Sequence, residues 1–123
     1  MTTEAGKIFR EAWIAGVNKH YPGEPKAGYV TPWDETPEWE RQSAAAVYGL
    51  VADLLRISEG AARRLTRVQK SQFVAASWAA QIFLRFESPK PSYVAPWETL
   101  PAWQQDVDAD IFEAIELNEN QAG

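Results

Sequence analysis

The chain has 123 residues and a formal net charge of −5, because 12 Lys and Arg residues stand against 17 Asp and Glu residues. That length predicts one hydrophobic core, and the acidic balance disfavours nucleic acid as a partner because like charges repel a phosphate backbone. Cysteine is absent, which excludes disulfides and thiolate chemistry, and no apolar run is long enough to cross a membrane. We therefore expect a cytoplasmic protein without a membrane partner.

The first half of the chain is predicted to form a helix, a loop and a second helix. Apolar residues recur at helical spacing over about residues 4–21, and a Pro-Gly pair ends the pattern. A Pro-rich loop over about 22–36 follows, and a second helix is predicted over about 37–57. Thr36 is the expected N-cap of this helix, since Pro37 then takes the first helical position, where a missing N–H costs nothing.

The second half repeats this order after a linker over about 58–65, which we expect to contain one extra helical turn. Thr66 precedes Gln69 by three residues, the spacing of a capping box, and opens a third helix that continues to about residue 86. The segment 73–84 is apolar nearly all round, which predicts the most buried helix of the fold.

The last helix is predicted to begin at Pro101, after a second Pro-rich loop over about 88–99, and to leave a frayed tail at 118–123. Its acidic residues are interpreted as a solvated face. A basic cluster earlier in the chain either binds an anion such as a nucleotide phosphate or pairs with this acidic helix, within the molecule or between molecules, and the acidic helix is the favoured partner. The acidic residues are Asp106, Asp108, Asp110, Glu113 and Glu116, and the basic ones are Arg56, Arg63, Arg64, Arg67 and Lys70.

An internal repeat organises all four helices. Residues 25–39 align with residues 89–103 at an offset of 64, with eight of fifteen positions identical. Upstream the offset becomes 65, so that all six tryptophans fall into three matched pairs. The pattern predicts one domain over residues 1–123, with repeat one at about 4–57 and repeat two at about 66–117.

The predicted fold class is therefore mainly α. We expect four principal helices in two helix–loop–helix repeats related by a pseudo-two-fold axis. The Pro- and Trp-rich loops should be ordered, because proline narrows the unfolded ensemble. The Tyr-Val pairs in the loops allow at most a short strand pair.

The repeated pattern resembles a known family. Each copy has a helix bearing a Trp, an aromatic residue at the end of that helix, a Pro-rich loop with a Lys, and a Pro-aromatic pair before the next helix. This order is similar to that of the ryanodine-receptor repeat, including its bacterial and phage versions. The matching residues are Trp13, Tyr21, Pro22, Gly23, Lys26, Val30, Pro32, Trp33, Thr36, Pro37, Trp78, Phe86, Lys90, Val94, Pro96, Trp97, Leu100 and Pro101.

The resemblance implies a fold and a general role, but no chemistry. In the receptor, tandem copies of this repeat make a pseudo-two-fold helical domain, so the same arrangement is implied here. A peripheral recognition module without channel activity is implied as well, and the microbial forms bring no established reaction with them.

The residues themselves provide no catalytic constellation. His20 is the only histidine, no Glu-x-x-His pair is present, and the sequence offers no partner that would orient His20 as a general base. We expect no metal, no cofactor and no enzymatic activity.

Aromatic loop residues remain the best candidates for binding. Trp33 and Trp97 either plug the core or stand exposed as platforms, and the duplicated positions favour packing. The two loops are nonetheless able to form one cleft between the repeats, suited to a planar anionic small molecule such as a nucleotide derivative. The alternative is a protein-interaction or self-association module, a possible homo-oligomer, that uses the acidic last helix. The candidate ligand-binding residues are Lys26, Tyr29, Trp33, Lys90, Tyr93 and Trp97.

Overall fold

Four α-helices account for most of the chain in a computed structural model that describes residues 4–122. They are α1 (Ala5–His20), α2 (Glu38–Ile57), α3 (Arg67–Arg85) and α4 (Ala102–Ala122). No β-strand occurs within this described range. The prediction of a mainly α fold with four principal helices is confirmed.

The helix starts differ in how they are capped. At α3 the predicted capping box is present, since the Thr66 hydroxyl accepts from the Gln69 N–H and the Gln69 side chain accepts from the Thr66 N–H. The predicted cap at α2 is wrong: Pro37 is the N-cap residue, and the Thr36 hydroxyl instead donates to the Pro32 carbonyl at 2.8 Å. Thr36 therefore closes the preceding turn rather than the helix.

Both Pro-rich loops are built from 3₁₀ turns. These turns cover Ala27–Val30 and Trp33–Glu35 in the first loop, and Pro91–Tyr93 and Trp97–Thr99 in the second. No strand pair forms within the described residues, which agrees with the expectation of at most a short one, because the N–H groups of Tyr29 and Tyr93 are used locally. The N–H of Tyr29 and that of Tyr93 each donate to the carbonyl of the Lys three residues earlier, at 2.9 Å in both loops.

The core lies between all four helices, since α1 and α3 each pack against both α2 and α4. Phe112 and Ile111 of α4, Val47 of α2, Val17 of α1 and Ile82 of α3 are fully buried. A 3₁₀ turn at Ala61–Arg64 joins the halves, which confirms the extra turn expected in the linker.

The third helix is less buried than the sequence predicts. Its core-facing stripe is short, while Phe83 is 60% exposed and Leu84 is 75% exposed. In a bundle of four helices each helix has an outer side without a neighbour, so an apolar pattern all round the helix does not bury it. The prediction that α3 is the most buried helix is therefore wrong.

The predicted frayed tail is also wrong for the residues that are described, because α4 continues to Ala122. The Asn118 amide donates to the Tyr48 hydroxyl at 2.6 Å, and that hydroxyl donates to the Glu119 carboxylate. These bonds tie the end of α4 to α2. Gly123, the last residue of the predicted tail, lies outside the described residues.

None of the helices between residues 4 and 122 combines the length and the apolarity that a membrane crossing requires.

Candidate functional site

A cleft of about 540 Å³ opens between the two repeats, and we call it the aromatic cleft. Its volume lies within the range of ordinary small-molecule sites. All four helices and both Pro-rich loops contribute side chains to it. Seven aromatic residues line it: Phe9, Trp13, Tyr29, Trp39, Trp78, Tyr93 and Trp103.

The aromatic contacts at and beside the cleft occur in matched pairs. Each contact between one residue of repeat one and one of repeat two has a counterpart at the matching positions with the repeats interchanged. Trp13 of α1 and Tyr21, which directly follows α1, contact Trp103 of α4. At the matching positions, Trp78 of α3 and Phe86, which directly follows α3, contact Trp39 of α2. The matched ring centroids are Trp13–Trp103 at 6.0 Å with Trp78–Trp39 at 6.4 Å, and Tyr21–Trp103 at 4.9 Å with Phe86–Trp39 at 5.1 Å. An approximate dyad requires reciprocal contacts of this kind, although the dyad itself stays a prediction.

Direct bonds hold the first loop against the helices. The Trp13 indole N–H donates to the Tyr29 carbonyl at 2.7 Å, and the rings of Trp13 and Tyr29 meet edge to face. Phe9 stacks on Trp78 across the two repeats, with ring centroids 5.5 Å apart. Packing and hydrogen bonding within the chain therefore hold the walls of the cleft in place.

Three of the six predicted site residues line this cleft: Lys26, Tyr29 and Tyr93. Lys90 is not among the lining residues, but its ammonium lies 5.7 Å from the centre of the Tyr93 ring. The Lys26 ammonium stands 5.8 Å from the Tyr29 ring in the same way. Each loop therefore holds a lysine charge beside its tyrosine.

The two loop tryptophans lie elsewhere, so including them among the cleft residues was wrong. Trp33 is 8% exposed and packs in the core against Gly6 of α1. Trp97 is half-buried, and its indole N–H donates to the Ser71 hydroxyl of α3 at 2.7 Å. Ser71 occupies the position in repeat two that matches Gly6 in repeat one, so both tryptophans close their own repeats as plugs.

Arg10 is a cleft residue that sequence reasoning missed. It is buried, and its guanidinium donates to the Thr31 carbonyl at 2.9 Å and to the Gly28 carbonyl at 3.2 Å. Its remaining nitrogen lies 3.8 Å from the Glu40 carboxylate. Burial lowers the pKa of Arg10 and raises the pKa of Glu40, while the attraction between the two charges partly offsets both effects. Arg10 thus anchors the first loop.

Asp108 is the second cleft residue that was missed. The sequence places it on the solvated face of α4, yet its side chain is 6% exposed and lines the aromatic cleft. Burial raises the pKa of Asp108 from 3.8 to about 8. A signal was available: Asp108 lies three residues before Ile111 and four before Phe112, which is the spacing of the apolar stripe.

The other acidic residues of α4 are largely paired within the molecule. Arg67 of α3 contacts Glu113 at 2.6 Å and Asp110 at 3.0 Å, and lies 4.0 Å from Asp106. Lys70 pairs with Glu116 at 2.8 Å in a mostly buried contact. Two members of the basic cluster, Arg67 and Lys70, therefore meet the acidic helix inside the chain, whereas Arg56 pairs with Asp53 of its own helix.

His20 also joins this network, since its Nε2 lies 2.9 Å from Asp110 Oδ2, and Arg67 contacts the other oxygen of that carboxylate. His20 does not line the cleft. Among residues 4–122, no three His, Asp or Glu side chains converge in a way that would hold a metal ion.

Comparisons with models of protein families, with curated proteins and with solved structures find no significant match to this chain. The resemblance to the ryanodine-receptor repeat therefore stays a prediction, and the function must be argued from the geometry of the cleft.

Proposed function

We propose that this chain is a non-catalytic recognition module that binds a planar, anionic small molecule, such as a nucleotide derivative, in the aromatic cleft. The observation that carries the proposal is the convergence of seven aromatic side chains on one cavity of about 540 Å³. Indole and phenol rings offer large flat surfaces at low cost in conformational entropy, and they stack well on planar ligands.

The charges at the cleft favour an anionic substituent on that ligand. Lys26 lines the cleft, and Lys90 lies beside Tyr93 at its edge. The charge of Arg10 is balanced by Glu40, and Asp108 is protonated near neutral pH. The two lysines are thus the unbalanced charges of this site, and a phosphate or carboxylate on a stacked ring would lie near them.

We also propose how the cleft arises: two copies of a ryanodine-receptor-like repeat, related by an approximate dyad, form it between them. The helix ends support it, because α1 ends at His20 and α3 at Arg85, which match at the offset of 65. The reciprocal ring contacts support it as well. Superposition of residues 5–57 on residues 70–121 is the direct test.

Association through the acidic face of α4 is the weaker function. Arg67 and Lys70 already form ion pairs with Asp110, Glu113 and Glu116 within the chain, which offsets part of the negative charge of this face. A partner molecule would have to compete with these ion pairs, which form within the chain without the entropy cost of association. A free acidic surface for a second molecule is therefore not favoured.

The test is a binding measurement with flavin mononucleotide, nucleoside monophosphates and aromatic carboxylates, followed by tryptophan fluorescence and calorimetry. Tyr93→Ala removes one stacking surface that is 46% exposed, and we expect affinity to fall about tenfold. Lys26→Met should weaken binding in a salt-sensitive way. Phe83→Ala is the matched control, because it removes an exposed ring outside the cleft. Equal affinities for Tyr93→Ala and the native chain would refute the site.

A further inference from the structure

A buried carboxyl group without a partner stands in the wall of the aromatic cleft. Asp108 lies near the start of α4, is 6% exposed, and makes no hydrogen bond or ion pair with any residue in the described range. Buried polar groups are nearly always hydrogen-bonded, because leaving one unpaired costs free energy. The Asp108 oxygens are not among the fully enclosed, unpartnered side-chain atoms of the described residues, so any group that pairs with them reaches them through the cleft.

The fold does not need this carboxyl. Repeat one has Ala44 at the matching position, and Ala44 is buried in α2 with 4% exposure. A methyl group thus satisfies the packing at this point of the repeat. Arg10 is a cation that lines the same cleft, but its guanidinium already contacts Glu40, Thr31 and Gly28. Neither packing nor an internal ion pair explains the carboxyl.

We infer that Asp108 is the specificity-determining residue of the aromatic cleft, and that it pairs through both oxygens with the polar edge of a planar nitrogen heterocycle stacked on the cleft's rings. The inference rests on the proposed function and names its ligand class more closely. The two oxygens of a carboxyl group are able to form hydrogen bonds with two adjacent positions of a heterocycle at once, as they do at the edge of a nucleobase.

The two repeats also fix one orientation of that ligand. Matched aromatic residues form both walls, and rings alone would accept the ligand in two equivalent orientations. Asp108 is matched by Ala44 and Arg10 is matched by Ala75, so each polar group occurs in one repeat only. The heterocycle edge is then directed toward Asp108.

The protonation state determines which edge is preferred. Because burial raises the pKa of Asp108 to about 8, the group offers one O–H donor and one oxygen acceptor at neutral pH. That pattern matches a ring nitrogen beside an amino group, as in adenine. The other titratable groups that line the cleft are Arg10, Lys26, Tyr29, Glu40 and Tyr93, and Arg10 is paired with Glu40.

The experiment measures calorimetric affinities of the native chain for three probes at neutral pH. AMP carries the amino group, purine riboside monophosphate lacks it, and ribose 5-phosphate lacks the heterocycle. Asp108→Ala should weaken AMP binding about tenfold or more, and it should weaken purine riboside monophosphate binding less, because that probe keeps only the ring nitrogen that accepts from the carboxyl O–H. Asp106→Asn is the control, because this carboxylate lies outside the cleft on the same helix.

The outcomes separate this inference from the proposed function. If Tyr93→Ala weakens binding of AMP and Asp108→Ala does not, the cleft binds planar ligands and the role of Asp108 is overturned. If the native chain binds AMP no better than ribose 5-phosphate, both the inference and the proposed function fail. The inference is supported if Asp108→Ala lowers the affinity for AMP more than the affinity for purine riboside monophosphate, while the Asp106→Asn control leaves both affinities unchanged.

Discussion

The buried carboxyl of Asp108 should make the free energy of unfolding fall as the pH rises. Burial raises its pKa from 3.8 in the unfolded chain to about 8 in the fold. Between these values the folded state holds a proton that the unfolded state releases, so unfolding becomes easier by about 1.4 kcal/mol per pH unit. From pH 4.5 to pH 7.5 the loss amounts to about 4 kcal/mol.

Asp108→Asn removes this titration and keeps the shape of the side chain. Burying the amide has its own cost, which does not depend on pH in this range. The difference in unfolding free energy between variant and native chain should therefore grow in favour of the variant by about 4 kcal/mol from about pH 4.5 to about pH 7.5. Above the folded pKa of about 8 the difference should become constant, because both states are then ionised.

The assay is urea denaturation of both chains across that pH range, followed by tryptophan fluorescence. Contributions of all other titrating groups cancel in the difference between the two chains. Asp106→Asn serves as the control, since it makes the same substitution at an exposed position of the same helix. A flat difference for Asp108→Asn would refute the argument, because it would mean that the carboxyl ionises in the fold as readily as in water.

Three further predictions concern the scaffold around the cleft. Gly6→Ala should lower the free energy of unfolding by about 2 kcal/mol, because a Cβ there would lie 2.8 Å from the Ala45 nitrogen and 2.8 Å from Trp33. Gly49→Ala, which has open space around it, should stabilise its helix slightly, and thermal unfolding checks both variants. Thr66→Ala should cost about 1 kcal/mol in urea denaturation through loss of the capping box, and a cost near zero would count against that cap. Lys70→Met should cost about 3 kcal/mol, since it leaves Glu116 mostly buried without its partner, and adding Glu116→Leu should recover most of that loss in the same assay.

The helices could be predicted from the sequence because their signals are local. Apolar spacing, prolines and the capping box act within a few residues, so the second helix was expected at about 37–57 and is found at Glu38–Ile57. Errors arose where local and tertiary demands compete. Phe83 and Leu84 fit an apolar helix, yet they lie on the outer side of α3, where no other part of the described chain covers them.

The site was predictable in part for the same reason. The duplicated Lys and Tyr positions in the loops led to Lys26, Tyr29 and Tyr93, which line the cleft. The duplicated Trp33 and Trp97 gave an equally strong signal but plug the repeats instead, because helix positions Gly6 and Ser71 accommodate their rings. A repeated residue indicates a repeated role, and only packing shows whether that role is binding or closure.

The order of amino acids alone determined the four helices, the stiff loops between them and the doubling of the pattern, since each depends on neighbours within a turn or on direct comparison of the two halves. The folded arrangement decided the rest. It brought Trp13, Trp78, Trp39 and Trp103 from four helices to one cavity, and it turned Asp108 from the expected solvated face into that cavity. Such choices depend on which helix covers which face, and that is set by contacts between residues far apart in the chain.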